Sequence, residues 1–284
     1  MTSFFIDYSG YKTIRDTDPL LPSLYTEKDK NWFDLNENQY LLIVDQNNIP
    51  VDRYKWQDGK HKSIYRKPIE SSQLGKIKAK NPEQEFMIDM LMDDSTTVKV
   101  ITGTFGSGKT MLCVCAAYQL MQAGKFDKIV WIRNNIEVKD TNSIGALPGT
   151  YLEKMSVWAM PLADHLGGRY ILDSQIQMGR IEVEHLGFMR GRDIRNAIIF
   201  CSEAEHLTKE HVQLLLGRVA EGSILILEGD CRQVDAKAFE KNSGLAAVVN
   251  ALKGNRLFGY IHLKESVRSE TAKLADLLDT EENK

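Results

Sequence analysis

The feature that most constrains this chain is the octapeptide at residues 103–110, with the sequence GTFGSGKT. It fits the pattern G-x-x-x-x-G-K-[ST], in which glycines let the backbone curl and point its N–H groups at phosphate oxygens. A helix that begins near Lys109 would add the positive end of its dipole. Lys109 would then reach the outer phosphates, and the hydroxyl of Thr110 would bind Mg²⁺. The rest of this predicted cradle is Gly103, Thr104, Phe105, Gly106, Ser107 and Gly108.

The sequence on both sides of this loop predicts a strand, a turn and a helix. Residues 98–102 are rich in β-branched side chains, and residues 111–117 are apolar on all sides, as in a helix buried within a core. The alternative is a glycine-rich turn without function, and the flanking pattern argues against it. We therefore predict that the chain binds a nucleotide, with ATP and Mg²⁺ as the cofactors.

Beyond the loop, apolar strand patterns alternate with helical patterns. Such alternation predicts an α/β fold with a mainly parallel sheet that is covered on both faces. Ligands of such sheets bind at the carboxyl ends of the strands, so polar residues at those ends are the candidate site. The predicted strands cover residues 129–132, 197–201, 223–227 and 260–263.

The first 75 residues have a different pattern. A polar and aromatic arm precedes three short strand patterns at residues 40–44, 51–56 and 61–65, and Asp58-Gly59 is typical of a hairpin turn between the last two. We therefore predict a small N-terminal β-meander. The predicted domains are an N-terminal arm at 1–37, to which the sequence assigns no function, the meander at 38–75 and an ATPase domain at 76–284.

Charge is unevenly distributed along the chain. The 284 residues carry a formal net charge of −3, so the whole protein has no basic footprint of a nucleic-acid binder. Residues 52–80, however, hold nine Lys and Arg against three acids, with Tyr54, Trp56 and Tyr65 between them. This segment is either a solvated hairpin face or a surface on which cations and stacking aromatics bind a single-stranded nucleic acid.

Cysteine usage and hydropathy bear on the compartment. The four cysteines lack the C-x-x-C spacing of metal sites and lie mostly in apolar patterns, so we expect reduced core residues. No N-terminal signal pattern and no apolar run near 18 residues is present. We expect a cytoplasmic protein that does not bind a membrane.

Gln84 lies one predicted helix before the phosphate loop. Pro82 suits the first turn of that helix, which places Gln84 at the helix start. Because the planar amide of glutamine both donates and accepts hydrogen bonds, Gln84 is a candidate for binding adenine. A surface glutamine without such a role is the alternative.

Polar groups follow three of the predicted strands. Transfer of a phosphoryl group to water requires a group that orients the water and groups that neutralise the developing charge. Glu203 suits the first role, Gln233 suits a sensor of the γ-phosphate that Asp230 could position, and Arg133 follows a third strand. A helix-cap carboxylate at 203 and a turn residue at 233 remain the alternatives.

The order of these motifs resembles the PhoH-like ATPases over residues 38–279. The resemblance implies a RecA-like P-loop NTPase core similar to the first motor domain of superfamily-one helicases. It further implies ATP hydrolysis coupled to unwinding of, or movement along, RNA, within a homo-oligomeric ring that we expect to be a hexamer. The motifs are NPEQ at 81–84, the phosphate loop, GALPG at 145–149, FMRGR at 188–192, IIFCSEAE at 198–205 and EGDCRQVD at 228–235.

The nearest type within that family carries a PIN ribonuclease domain before the ATPase domain, and only the linking meander is recognisable here. We therefore expect no ribonuclease activity in this chain and consider a separate nuclease as a partner. Arg218 and Arg268 are the candidates for arginines that reach the γ-phosphate of a neighbouring subunit, with surface ion pairs as the alternative. Arg190 and Arg192 are equally candidates for contacting nucleic acid.

The chain departs from the family at Ser202, where the resemblance implies an aspartate that holds a water on Mg²⁺. The predicted metal-binding set is therefore Thr110, Ser202 and Glu203. Losing such an outer-shell partner typically costs about 10- to 100-fold in metal affinity or activity. Glu205 would compensate if the strand continued that far, because residues two apart share a face.

Two functions follow. The first is an ATP-driven motor acting on RNA or another single-stranded nucleic acid. The alternative, which Ser202 favours, is a nucleotide-gated assembly that hydrolyses ATP weakly and regulates a partner such as a nuclease. A small-molecule kinase is disfavoured, because the acids at 203 and 205 and Gln233 suit activation of water better than binding of an acceptor.

Overall fold

The computed structural model describes residues 6–65, 67–71, 75–133, 159–230 and 242–267. Among the sequence predictions, Gln233, Arg268 and the GALPG segment lie outside these residues. Within the described part, no helix is long and apolar enough to cross a membrane. Cys113, Cys115 and Cys201 are buried and form no disulfide, as predicted.

A six-stranded sheet forms the centre of the protein. All of its strands are parallel, and their order is β12-β7-β11-β10-β8-β9. The predicted parallel sheet is confirmed, while β9 is an edge strand that the sequence prediction did not include. The strands are β7 (Val98–Gly103), β8 (Lys128–Arg133), β9 (Ile181–His185), β10 (Ala197–Ser202), β11 (Ile224–Gly229) and β12 (Phe258–Leu263).

Helices cover both faces of this sheet, which explains why its central strands are apolar throughout. Alternate residues of a strand point to opposite faces. Phe200 of β10 and Ile226 of β11 belong to the core cluster that includes α3, whereas Cys201 and Leu227 belong to the cluster on the other face. The helices are α1 (Leu21–Thr26), α2 (Pro82–Met92), α3 (Lys109–Gln122), α4 (Met160–Leu166), α5 (Arg169–Gln177), α6 (Lys209–Leu216) and α7 (Gly244–Leu252).

The predicted meander forms a second sheet with the strand order β1-β2-β3-β4. Its fourth strand comes from the predicted arm, because β1 (Tyr11–Arg15) pairs in parallel with β2. The division between arm and meander at residue 37 stays a prediction, although this pairing groups part of the arm with the sheet. The other strands are β2 (Tyr40–Val44), β3 (Pro50–Gln57) and β4 (Lys60–Ser63), and a hairpin of β5 (Ile69–Ser71) and β6 (Gly75–Ile77) follows.

Helix α2 joins the small sheet to the central one. The ring of Tyr40 on β2 stacks on Phe86 of α2 with centroids 4.7 Å apart, and the Tyr40 hydroxyl donates to Asp89 at 2.8 Å. Arg53 of β3 forms a buried ion pair with Glu85 of the same helix. Because α2 begins beside the phosphate loop, these contacts link the meander to the candidate nucleotide site.

Candidate nucleotide-binding site

The loop between β7 and α3 has the backbone that the glycine pattern predicts. Gly106 and Gly108 have φ angles of +76° and +84°, in the left-handed region that glycine adopts without strain. At Gly103 a Cβ atom would lie 2.5 Å from the carbonyl oxygen of Leu263 on the neighbouring strand. Helix α3 begins at Lys109, so its first free N–H groups lie at the loop.

Two side chains of the loop are suited to phosphate. The ammonium of Lys109 donates to the carbonyl oxygens of Gly103 and Thr104 at 2.9 and 3.0 Å, which holds the charge within the loop. Ser107 is only 1% exposed, and its hydroxyl has no hydrogen-bond partner among the described residues. A buried hydroxyl without a partner is costly, so a phosphate oxygen is the kind of group that this site fits.

The side chain of Gln84 contacts the phosphate loop. Its Nε2 donates to the carbonyl oxygen of Ser107 at 2.9 Å, and its Oε1 accepts from the backbone N–H of Lys80 at 2.8 Å. The side chain of Asn81 caps α2 by accepting from the N–H of Gln84. In this arrangement Gln84 supports the loop through α2. Its contact with adenine stays a prediction, which would use the second donor and second lone pair of the amide.

Glu203 and Arg133, two of the predicted strand-end groups, contact each other. The Nε of Arg133 donates to one carboxylate oxygen of Glu203 at 2.9 Å, and Nη2 pairs with the other oxygen. Such bidentate pairs are the stronger kind of ion pair. Glu203 also has a left-handed backbone with φ of +53°, which is uncommon for a residue other than glycine. The predicted water-orienting carboxylate is therefore held by an arginine of the adjacent strand end.

Glu205 does not lie where the sequence prediction required. Strand β10 ends at Ser202, and a 3₁₀ helix covers 204–206, so the condition under which Glu205 would compensate for Ser202 is not met. Instead its carboxylate accepts from the backbone N–H of Asp230 at 3.1 Å. The pKa of Glu205 is raised to about 8, chiefly because the group is buried and in smaller part because the carboxylates of Glu228 and Glu203 lie nearby.

Glu228 lies beside the phosphate loop, although the sequence prediction gave it no role. It is the fifth residue of β11, is 4% exposed, and hydrogen-bonds the side chain of Thr110. Burial raises its pKa to about 6, against the opposing effects of the Lys109 ammonium and the Thr110 hydroxyl. The sequence did contain a signal, because an acid stands in an otherwise apolar buried strand, where charged residues are rarely found unpaired.

The two arginines preceding the acidic strand and the arginine after α6 lie elsewhere. Arg218 donates to the carbonyl oxygen of Arg192 at 3.0 Å, close to the residues that precede β10. This is the amino end of the strands, whereas the phosphate loop is at their carboxyl ends. Arg192 itself pairs with Glu182 and Glu184 of β9, and Arg190 is exposed. Their contacts with a neighbouring subunit or nucleic acid stay predictions.

The fold divides the basic segment at 52–80 into two groups. On β3, Arg53 and Lys55 are buried against α2, where Lys55 pairs with Asp93, and Tyr54 is buried on the opposite face. These residues are not available for nucleic acid, which corrects part of the predicted surface. Among the described residues of this segment, the exposed cations are Lys60, Lys62, Lys67, Lys76, Lys78 and Lys80.

A groove of about 820 Å³ lies where the meander meets α2. Its lining includes Lys62, Lys67, Lys78 and Tyr65, whose ring is 75% exposed. Asp89 and Asp93 also line it, although Lys55 lies within 4 Å of both and pairs closely with Asp93. This groove, rather than the whole basic segment, combines exposed cations with a free aromatic face.

Taken together, the strand order and the loop define a class of protein. The phosphate-loop strand β7 lies between β12 and β11, and β11 separates it from β10, which ends beside the acidic residues. A glycine-rich loop that opens the helix after a parallel strand completes the arrangement. This is a P-loop nucleotide-binding protein with a RecA-like core.

Comparison with known proteins identifies the family. The sequence profile described as PhoH-like protein matches residues 76–278, and the chain belongs to this family. It is 32% identical over 287 residues to protein PhoH2 of Bacillus subtilis. This alignment covers 95% of this chain and 64% of that protein. Protein PhoH2 of Mycolicibacterium smegmatis is 30% identical over 201 residues, covering 70% of this chain and 46% of the other. The chain thus spans less than two thirds of these relatives.

Among solved structures, the Pif1 helicase of Candida albicans is similar over 71% of this chain and 43% of its own, with 15% identity and a TM-score of 0.36. So low a score adds nothing to the topology described above.

Proposed function

We propose that this chain binds ATP with Mg²⁺, hydrolyses it, and uses hydrolysis to act on RNA or another single-stranded nucleic acid. The observation that carries the proposal is the phosphate loop, which holds the Lys109 ammonium and the buried, unpartnered hydroxyl of Ser107 and is followed by the Thr110 hydroxyl. Membership in the PhoH-like family supports it.

Each residue of the site then has a defined task. The backbone of 103–108, Ser107 and Lys109 bind the phosphates, and Thr110 holds the metal together with groups at the ends of β10 and β11. Mg²⁺ supplies positive charge that offsets the negative charge of the phosphates. Glu203 orients the attacking water after it exchanges its bond to Arg133, and Arg133 is then available to the developing negative charge. Gln233 senses the γ-phosphate, while Arg218 and Arg268 act across a ring interface, for which we propose a hexamer.

Nucleic acid binds, in this proposal, along the groove beside the meander. Exposed lysines neutralise phosphates and the ring of Tyr65 stacks on a base, which is how single strands are held without sequence preference. Helix α2 contacts this sheet through Arg53 and Tyr40 and contacts the phosphate loop through Gln84. A strand bound in the groove therefore has a direct packed connection to the nucleotide.

Lys109→Ala tests the nucleotide assignment. The lysine is a point charge for phosphate, and a charge-assisted contact is worth about 1.5–3 kcal/mol, so ATP affinity should fall roughly 10- to 150-fold. Lys253→Ala, at an exposed position after α7, is the matched control and should bind ATP like the parent. Affinity would be measured by titration calorimetry, with circular dichroism to confirm the fold. Equal ATP affinity in Lys109→Ala and the parent would overturn the proposal.

A second function, the nucleotide-gated assembly with slow hydrolysis, is favoured by the Arg133–Glu203 pair, since it occupies the carboxylate that should orient water. ATP turnover with and without single-stranded RNA separates the two. A motor should be stimulated by RNA, whereas the gated assembly should show slow, RNA-independent turnover and a change of mass on binding ATP.

A further inference from the structure

We propose that Glu228 is the carboxylate that faces the metal in this chain, so that this role belongs to β11 instead of β10, where Ser202 stands. The inference rests on the proposed nucleotide function and adds to it a residue that neither the motif nor the resemblance implies.

The strand register places Glu228 at the same level as Ser202. Cys201 of β10 pairs with Leu227 of β11, so the residues that follow, Ser202 and Glu228, lie side by side on adjacent strands. Both project to the opposite face from Cys201 and Leu227, and α3 covers that face. A carboxylate on β11 at this level therefore occupies the same part of the site that a carboxylate at position 202 would reach from β10.

The contacts of Glu228 point to the same role. The hydroxyl that should bind Mg²⁺, that of Thr110, is hydrogen-bonded to the carboxylate of Glu228. The Lys109 ammonium also acts on this carboxylate. Mg²⁺ in nucleotide sites is bound by one or two carboxylates, by substrate phosphates and by water. A buried carboxylate that touches the metal-binding hydroxyl has the chemistry that this ion requires.

Glu203 and Glu205, two further acids near the strand ends, have different partners. Glu203 forms the bidentate pair with Arg133. Glu205 accepts from the N–H of Asp230 and lies against the backbone of Gly229, where an added Cβ would be 2.2 Å from its Oε2. Of these three acids, Glu228 is the one that the described contacts connect to the loop.

The test measures how much Mg²⁺ strengthens nucleotide binding. Calorimetry with ATP in Mg²⁺ and in EDTA gives this gain for the parent, Glu228→Gln, Ser202→Asp and the double variant. Glu205→Gln tests the competing acid, and Glu184→Gln, on the distant edge strand β9, is the matched control. Binding of Mn²⁺ in the presence of ADP, followed by electron paramagnetic resonance, gives a second readout that needs no turnover.

Glu228→Gln should reduce the Mg²⁺-dependent gain about 10- to 100-fold, the usual effect of losing such a metal partner. Its affinity in EDTA should equal or exceed that of the parent, because a negative charge near the phosphates is gone. Adding Ser202→Asp should restore the gain and Mn²⁺ binding, since the two positions share one part of the site. Glu205→Gln and Glu184→Gln should keep the gain of the parent.

Three results would overturn the inference. In the first, Mg²⁺ strengthens ATP binding to Glu228→Gln as much as it does for the parent. In the second, Glu228→Gln loses the same ATP affinity in Mg²⁺ and in EDTA, which would indicate a packing role. In the third, Glu205→Gln shows the loss of the Mg²⁺-dependent gain instead. Failure of the proposed function is distinguishable, because in that case the parent itself would bind no nucleotide and Lys109→Ala would change nothing.

Discussion

The phosphate loop and the N-terminal meander show how differently two charged segments relate to their sequence. In the loop, the residues that act together are neighbours in the chain, and Lys109 bonds to carbonyls only five and six residues away. In the meander, the cations that look alike in sequence separate in space. Arg53 and Lys55 are buried in ion pairs with α2, whereas Lys60 and Lys62 are exposed to solvent.

A site built from neighbouring residues can therefore be recognised from their spacing in the sequence. Whether a charged side chain is exposed or paired in the interior depends instead on which face of its strand becomes buried. Arg53 and Lys55 alternate with Tyr54 and Trp56 along β3, so the pattern predicts a buried aromatic face and an exposed cationic face. Helix α2 buries the cationic face as well, because Glu85 and Asp89, together with Asp93 just after the helix, offer carboxylates to it.

Glu203→Gln should produce the largest effect, and it belongs to the nucleotide side of the comparison. Loss of a positioned general base lowers turnover by about 10²- to 10⁴-fold. Because Gln keeps the shape of the side chain, ATP affinity should stay close to that of the parent. Phosphate release and calorimetry measure the two quantities. Turnover at the parent rate would remove Glu203 from the mechanism and favour the gated assembly.

Arg53→Met should affect stability, not nucleic-acid binding. Both Arg53 and Glu85 are about nine-tenths buried, and removing one member of a buried pair typically costs about 3–5 kcal/mol. The double variant Arg53→Met with Glu85→Met should recover part of that loss, since no unpaired charge remains. Urea unfolding gives the free energies. The exposed control Lys60→Met should stay within about 0.5 kcal/mol of the parent.

Changes to three groove lysines should affect nucleic-acid binding and leave stability nearly unchanged. The three residues are Lys62, Lys67 and Lys78. Changing all three to Glu removes exposed cations of the groove, so single-stranded RNA affinity and its salt dependence should fall, by a slope of about 0.7 for each lost phosphate contact. Stability should change little. Binding titrations at several salt concentrations measure the slope, with Lys253→Glu as the control. An unchanged slope would contradict the groove assignment.

A further buried cation is Lys99, in the phosphate-loop strand β7. Its ammonium donates to the carbonyl oxygens of Leu91 and Asp93 at the end of α2, and burial lowers its pKa to about 7. An unfolded lysine titrates near pH 10.4, so between these values the unfolded state binds more protons. The free energy of unfolding should therefore rise with pH across this window.

Lys99→Met removes the titrating group, so the rise between about pH 7 and about pH 10 should become smaller than in the parent. The measurement is urea unfolding at several pH values. Lys253→Met, at an exposed position after α7, should keep the slope of the parent. Parallel curves for the parent and Lys99→Met would show that Lys99 keeps an ordinary pKa in the folded protein.

Much of the architecture could be predicted because it depends on short-range patterns. The parallel sheet, the helix that begins at Pro82 and the strands of the meander follow from periodicity and from turn residues. Strand β9 was missed because its sequence, IEVEH, is half polar, as suits an edge strand whose Glu182 pairs with Lys128 and Arg192. Whether β10 would reach Glu205 was left open, because the left-handed backbone at Glu203, just after the strand, leaves no mark in the residue pattern.

The phosphate loop and the class of sheet follow from the sequence alone, because a tight glycine turn and an alternating pattern are properties of contiguous residues. The contact of Thr110 with Glu228, the pair of Arg133 with Glu203 and the burial of Arg53 arise only when the chain folds. The physical reason is that these contacts join residues far apart in the chain. Their existence depends on the order of strands in the sheet and on which face a helix covers, and neither is fixed by local spacing.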